Sequence, residues 1–546
     1  MGSRAEQFID LMHTKNIKPN WNVFFRYRMI NTPGFFKSQN ANHNNYMLTS
    51  WYQSENKRYN NYFVIAANKL QSAENGGIVD TTNYMDDPMY SERFRVPTYI
   101  GGDAEYSTSF FNTSIKTGNR YNTTNVVLRQ QYDLGKKDSL VTDSTVIPLF
   151  FPRIRLEHTI NYGQYRYNFK DPITATNDFY KEHYNMVPDT VSRIFYIQDK
   201  WRELTNDFSI YTFPEAKNTQ QFLKVGAAYQ SLQGTLDSLK TSEFNIIGHG
   251  EYRNRTRNKK WDMLAAGRFY FAGMNAGDYD VTASVESLLG RKIGSLKLGF
   301  QNTNRTPSFI SSDTLSSFYL LKQTIPIGNT DDSVTQKIAI NLNKENITHL
   351  YAEIYQPLLK LSLSAHYYLV NNYVYYTDYY KINQAGLFNV LRISASKVFE
   401  TGRKKQWKWY ADVHFQQTIG NAAVQLPTIF TRHRFAYEGS LGFPNLNLAA
   451  GLEAKYRTSY KANGYSPVLG QFFYQNEVTP SYKMPDITAF VHFRIKSFKM
   501  FIRAENLNTF GKVNSNWGWL NNNYGVPGYP YPGFILRLGV FWGFVN

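Results

Sequence analysis

The sequence predicts an all-β chain and, more narrowly, a transmembrane antiparallel β-barrel of about 20–22 strands. Three observations carry that prediction. Apolar and polar residues alternate in segments long enough to cross a bilayer as strands, and these segments recur from one end of the chain to the other. The apolar rows repeatedly begin or end in aromatic residues. The chain holds 42 Tyr and 39 Phe, 16% aromatic in all, while its hydrophobic share is only 42%. A soluble core of this size would be built mainly from Leu, Ile and Val, whereas a barrel places aromatics at the two membrane interfaces and polar residues in its lumen and loops. No run of eighteen uncharged apolar residues occurs, so a transmembrane helix is excluded.

In chain order, Trp21, Val23, Phe25, Tyr27 and Met29 alternate with Asn22, Phe24, Arg26 and Arg28, which gives a strand with an Arg pair inward. Strands over Tyr46 to Ser54 and Arg58 to Leu70 follow, and then a long polar loop, 71 to 103, that contains Gly76 and Gly77. Ile154, Leu156, His158, Ile160 and Tyr162 alternate with Arg153, Arg155, Glu157, Thr159 and Asn161. Glu203 to Phe213 returns and Gln220 to Gln230 leaves again. The clearest middle strand sets Trp261, Met263, Ala265, Gly267, Phe269 and Phe271 against Asp262, Leu264, Ala266, Arg268 and Tyr270. Tyr279 to Ser287 and Leu296 to Asn302 form the next hairpin, and a second long loop runs to Glu345. Strands with Leu359 to Leu369, Trp407 to Phe415 and Leu446 to Tyr456 in their outward rows keep the same rhythm.

The closing strands are the most regular. Ile487, Ala489, Val491, Phe493 and Ile495 face lipid, opposite Thr488, Phe490, His492, Arg494 and Lys496. A tight turn at Lys496 to Ser497 leads to Phe498, Met500, Ile502 and Ala504 outward, with Lys499, Phe501, Arg503 and Glu505 inward. The last strand sets Phe534, Leu536, Leu538, Val540, Trp542 and Phe544 outward and Ile535, Arg537, Gly539, Phe541 and Gly543 inward.

With no linker and no shift in composition, residues 1–546 read as one barrel domain, with short periplasmic turns and long extracellular loops. Parity adds a constraint. Counted back from a last strand that ends in the periplasm, the segment Ala5 to His13 runs inward and starts outside the cell. Single-chain bacterial barrels have even strand numbers, so either the weak segment 105 to 116 is a strand or an opening strand precedes Ser3.

The chain resembles the large porin family of Bacteroidota. The likeness lies in HTKNIKPNW (His13 to Trp21), ENGGI (Glu74 to Ile78), YDLG (Tyr132 to Gly135), AENLN (Ala504 to Asn508) and the stretch Tyr529 to Phe534, in that order over nearly the whole chain. The resemblance implies one outer-membrane barrel per chain and passive diffusion of small solutes. It also implies one more strand before Ser3. AENLN and the strands after it are similar to the closing strands of TonB-dependent transporters. Those carry a plug domain ahead of the barrel, whereas strands begin here almost at once. A second class of function stays open, that of a barrel subunit or scaffold in a larger outer-membrane assembly, with the long loops as docking surface.

The formal charge of +18 would point to nucleic acid in a soluble protein. Here Lys and Arg fall in short turns (Asn56 to Arg58, Arg253 to Lys260, Arg403 to Lys405) and at inward positions, without a helix-borne basic cluster, so nucleic acid is not an expected partner. The expected surroundings are outer-membrane lipid and lipopolysaccharide, with protein partners reached through the loops. Catalytic signatures such as GxSxG, HExxH and the phosphate-binding glycine motifs are missing, and cysteine is absent. Four of the ten His, namely His249, His366, His414 and His492, take inward positions as polar lumen residues. The acidic pairs Asp86 with Asp87 and Asp331 with Asp332 read as solvated loop residues. Neither an enzyme nor a cofactor or metal is expected. The functional hint is a basic patch of Arg494, Lys496, Lys499, Arg503 and Arg537 on the last three strands, since Arg and Lys lining a pore favour anions.

Overall fold

The computed structural model describes the chain except for residues 1–5, 81–82, 103–114, 142–145, 173–177, 187–193, 216, 237–238, 325–339, 480–483, 514–515, 519–522 and 544–546. Its frame is a single antiparallel sheet of 21 strands. These are β1 (Gln7–Lys18), β2 (Trp21–Thr32), β3 (Ala41–Gln53), β4 (Tyr59–Ala73), β5 (Gly118–Val141), β6 (Val146–Asp171), β7 (Phe195–Thr212), β8 (Gln221–Leu236), β9 (Leu239–Arg255), β10 (Trp261–Gly273), β11 (Tyr279–Gly290), β12 (Gly294–Arg305), β13 (Glu345–Gln356), β14 (Leu361–Asn371), β15 (Phe388–Thr401), β16 (Trp407–Ile419), β17 (Ile429–Gly439), β18 (Leu446–Arg457), β19 (Asp486–Ile495), β20 (Phe498–Glu505) and β21 (Ile535–Trp542). Each pairs with the next in the chain. At the ends of the sheet, Arg537 of β21 donates to Glu6, just ahead of β1, at 3.2 Å.

Cross-strand register decides the faces, because directly opposed residues share one. The row Met263, Val285, Leu298, Ala352, Ala365, Ile393, Phe415 and Ile429 crosses eight strands and is wholly apolar. One residue along, the row Asp262, Glu286, Lys297, Glu353, Ser364, Ser394 and His414 is polar throughout. Lipid outside and a wet lumen inside account for both rows, and a one-residue slip would exchange them.

The strand count falls within the expected range, and the alternation found along β2, β10 and the closing strands is the facing observed. Two expectations need restating. Most of the weak segment 105 to 116 lies outside the described residues, but β4 pairs directly with β5 from Tyr59↔Tyr132 to Ala73↔Gly118, so no barrel strand stands between them. The last strand begins at Ile535, after Phe534, while Phe544 lies outside the described residues.

One hairpin outgrows its neighbours. Beyond Tyr59↔Tyr132 on one side and Thr212↔Ile154 on the other, Gly135 to Val141 and Val146 to Pro152 pair only with each other. This ribbon projects from the short-turn, periplasmic end.

Candidate functional site: the lumen wall and the cap over it

The inward wall is held by ion pairs between neighbouring strands. Asp10 of β1 receives Arg26 at 2.5 Å and Arg28 at 3.2 Å from β2. Asp133 of β5 receives both guanidinium arms of Arg155 from β6, at 2.6 and 2.9 Å. Glu157 of β6 is buried and accepts from Gln131 (2.6 Å), Lys224 (3.1 Å) and the Tyr211 hydroxyl (3.2 Å), which ties four strands together. On the far side Arg432 meets Glu453 at 2.6 Å and Lys408 meets Glu438 at 2.9 Å. Between β5 and β11 the wall opens into a recess of about 680 Å³, bordered by Glu203, Asp207, Lys224, His249, Glu251 and Arg268. Charges of both signs face it.

Glu157 is the node whose loss is most readable. Glu157→Gln keeps the shape but removes the charge that holds Lys224, so the barrel should lose about 2 kcal/mol. A lower temperature for the heat-induced gel mobility shift would register it. An unchanged transition would mean that lumen water satisfies Lys224 equally well.

The basic patch splits in two. Arg503 and Arg537 flank Glu505, at 3.4 and 3.2 Å, and Arg537 also meets Glu6. Arg494 and Lys499 face each other across β19 and β20 near the turn, and neither makes an ion pair among the described residues. The Arg494 side chain donates to the Lys496 carbonyl at 2.9 Å, and the Lys499 ammonium lies 5.1 Å from the centre of the Phe541 ring. Lys496, expected at an inward strand position, stands in the two-residue turn itself with a positive φ of 52°. It is a rim residue because β19 ends at Ile495.

The four inward His are each engaged. His249 meets Asp207 at 2.7 Å, His366 meets His349 at 3.0 Å, His414 meets the Ser394 hydroxyl at 2.8 Å, and His492 packs against Phe490 and Phe501. Among the described residues, no three His, Asp or Glu converge as a metal site. Asp331 and Asp332 lie outside the described residues, as does the Asp86 side chain.

What alternation could not reveal is the cap. At the extracellular ends of β6 and β7 the inward positions turn apolar, with Phe169, Phe195 and Ile197 almost fully buried. Loop residues pack onto them: Ile100 from the β4–β5 loop, Phe179, Tyr180, Tyr184 and Met186 from β6–β7, Phe318 and Tyr319 from β12–β13, Tyr376 from β14–β15, and Val468 and Leu469 from β18–β19. Five loops thus share one apolar core across the outer mouth. Phe36, Ile78, Met85 and Val96 join the β2–β3 loop to the β4–β5 loop, with Tyr524 from β20–β21 beside them.

At the centre of the cap stands Glu74, the first residue of ENGGI. Its carboxylate is buried and accepts from Asn119 and from the Tyr465 hydroxyl, each at 2.7 Å. Asn119 also donates to the Pro467 carbonyl at 2.9 Å and accepts from Tyr167 at 2.6 Å. Burial pushes the carboxyl up to about 7, against the pull of those two hydrogen bonds. Gly76 and Gly77 have φ of +69° and +93°, and a Cβ on Gly77 would lie 3.1 Å from the Gly528 carbonyl. That is why the motif needs its glycines. The signal was present in the sequence, but only as an unexplained glycine pair in a polar loop.

The family model described as "Putative porin" matches residues 1–546. The chain belongs to this porin family. Solved structures of two receptors and an iron transporter are similar to it in fold, at very low identity. The ferric enterobactin receptor PfeA of Pseudomonas aeruginosa, in complex with BCV-L6, superposes with a TM-score of 0.62 at 11% identity, over 98% of this chain and 78% of that one. The FrpB iron transporter of Neisseria meningitidis gives 0.61 at 9%, over 99% and 80%. The siderophore receptor PirA of Acinetobacter baumannii gives 0.58 at 9%, over 100% and 78%. Among curated proteins, no sequence matches. Family and fold together make the chain a β-barrel of the bacterial outer membrane.

Proposed function

We propose that this porin passes small polar solutes by passive diffusion, and that it favours anions at the periplasmic end of its lumen. The continuous polar wall inside an apolar exterior carries the reading. Arg494, Lys496 and Lys499 supply the anion preference, because they have no carboxylate partner among the described residues. Arg503 and Arg537 contribute less, since Glu505 and Glu6 offset them. No catalytic step belongs to this function. The test is a planar bilayer. Stepwise conductance with a reversal potential on the chloride side is expected, stronger at low salt, where screening is weakest. Arg494→Gln with Lys499→Gln should bring the potential towards zero, whereas Arg537→Gln should move it less. A cation-selective wild type would refute the anion preference.

The knitted loops also suit a second reading, that of a barrel subunit in a larger outer-membrane assembly with the cap as docking surface. Silent insertion into the bilayer, together with proteins retained through the loops on purification, would favour that reading over diffusion.

A further inference from the structure

The fold sorts the Lys and Arg that look scattered in the sequence. The ten segments that join strands at the short-turn end hold thirteen Lys and Arg against three Asp and Glu, whereas the ten at the long-loop end hold thirteen against seventeen. The short-turn segments are also much the smaller set, so the cationic density there is several times higher. Of those thirteen, Arg257 pairs with Glu215, and Lys360 and Lys405 meet Glu400. The other ten make no ion pair among the described residues. They are spread around the circumference, in turns that include Lys259 and Lys260 (β9–β10), Arg291 and Lys292 (β11–β12), and Arg403 and Lys404 (β15–β16).

A second observation bears on what covers them. Large apolar side chains stand exposed in or beside the same turns, with Ile293 62% exposed next to Lys292, Leu358 68% exposed two residues from Lys360, and Trp407 54% exposed after Lys405. Cation and apolar group side by side, at the edge of a lipid-facing band, is the arrangement of a surface that straddles hydrocarbon and headgroups.

We propose that this periplasmic ring binds the anionic phospholipid headgroups of the inner leaflet and holds an annulus of them around the barrel. The ring shape favours lipid over a protein, because a protein partner would cover one sector, whereas a headgroup layer surrounds the barrel and meets the cationic turns all round it. Turns this short keep their ammonium and guanidinium groups within a Debye length of the phosphates. The inference is independent of what the lumen transports.

The test uses the whole chain reconstituted in vesicles of equal phosphatidylglycerol and phosphatidylcholine, re-extracted in mild detergent, with retained lipid measured by mass spectrometry. Wild type should retain phosphatidylglycerol about fivefold over its bulk ratio, as one favourable contact per headgroup supplies. Enrichment should vanish in a variant with Lys259, Lys260, Arg291, Lys292, Arg403 and Lys404 all changed to Gln. Adding about 0.5 M NaCl to wild type should remove it too, and that arm holds even if the variant fails to fold. Retention at the bulk ratio by wild type overturns the proposal, as does undiminished enrichment in the folded variant or at high salt. An acidic protein held on the rim, with lipid at the bulk ratio, also overturns it and assigns the ring to that protein.

Discussion

Tyr184→Ala should open the cap. The side chain is fully buried and its ring contacts Phe179, Phe318, Tyr379 and Tyr380, which come from three different loops. Its hydroxyl meets the Ser466 hydroxyl at 2.9 Å and accepts from the Val468 backbone at 3.3 Å, while Lys322 donates to its carbonyl at 2.6 Å. Truncating a fully buried aromatic costs about 3–5 kcal/mol, and the orphaned Ser466 and Val468 groups add to it. Since only the outer ends of β6 and β7 enter this core, through Phe169, Phe195 and Ile197, the loss falls mainly on the loops. Single-channel conductance should rise, and trypsin should gain access at Lys181 and Lys322. Tyr184→Phe, which keeps the ring, should cost only about 1 kcal/mol and leave the cap shut. If alanine changes neither conductance nor cleavage, the apolar core does not control the mouth.

The second large effect is a dependence on pH set by Glu74. With the cap packed, the carboxyl holds its proton up to about 7, against the ordinary 4.5 in an open loop. Below about 4.5 the group is protonated in both states and the packed cap has its full stability. As pH rises from there to about 7, the open loop ionises first and the packed cap loses about 3 kcal/mol, with no further loss above that. The groups facing the carboxyl are Tyr121, Tyr167, Tyr184, Tyr465 and Tyr529, which do not ionise in this window. Lys322, pushed down to about 8 by burial, acts in the opposite sense but only at higher pH, where an open loop still carries its charge and the packed one has shed it. Conductance should therefore climb between pH 5 and 7 in wild type. In Glu74→Gln, which keeps an oxygen for Asn119 and Tyr465 without a charge, it should stay low and flat over that range. A wild type indifferent to pH, or a variant with the same slope, would remove Glu74 from this role.

Period-two alternation was enough to read the barrel, because lipid imposes one chemistry on most outward positions from Trp21 to Trp542. It also placed Arg494, Lys499, Arg503 and Arg537 on the lumen side. It could not tell which of them meet carboxylates, since Glu505 is near in sequence but Glu6 is brought to Arg537 only where the two ends of the sheet meet. Strand ends were less legible. Lys496 continues the alternation of β19 perfectly well, and only its left-handed backbone marks it as turn. The cap was the least legible of all. Its members, such as Phe179, Tyr319 and Val468, belong to loops with no period, and what unites them is packing between segments hundreds of residues apart.

That separation sets an order of assembly. Glu74 and Tyr465 stand 391 residues apart, as do Asn119 and Pro467 by 348. Local hairpins need only short loops to close, but these contacts wait until the chain between them has been threaded into sheet. Until the strands on both sides of that separation are in the sheet, the β4–β5 and β6–β7 loops have no β18–β19 loop to pack against, and Glu74 stays in water. The nascent barrel is thus an uncapped one, and closure of its outer mouth reports that both halves of the sheet are in place.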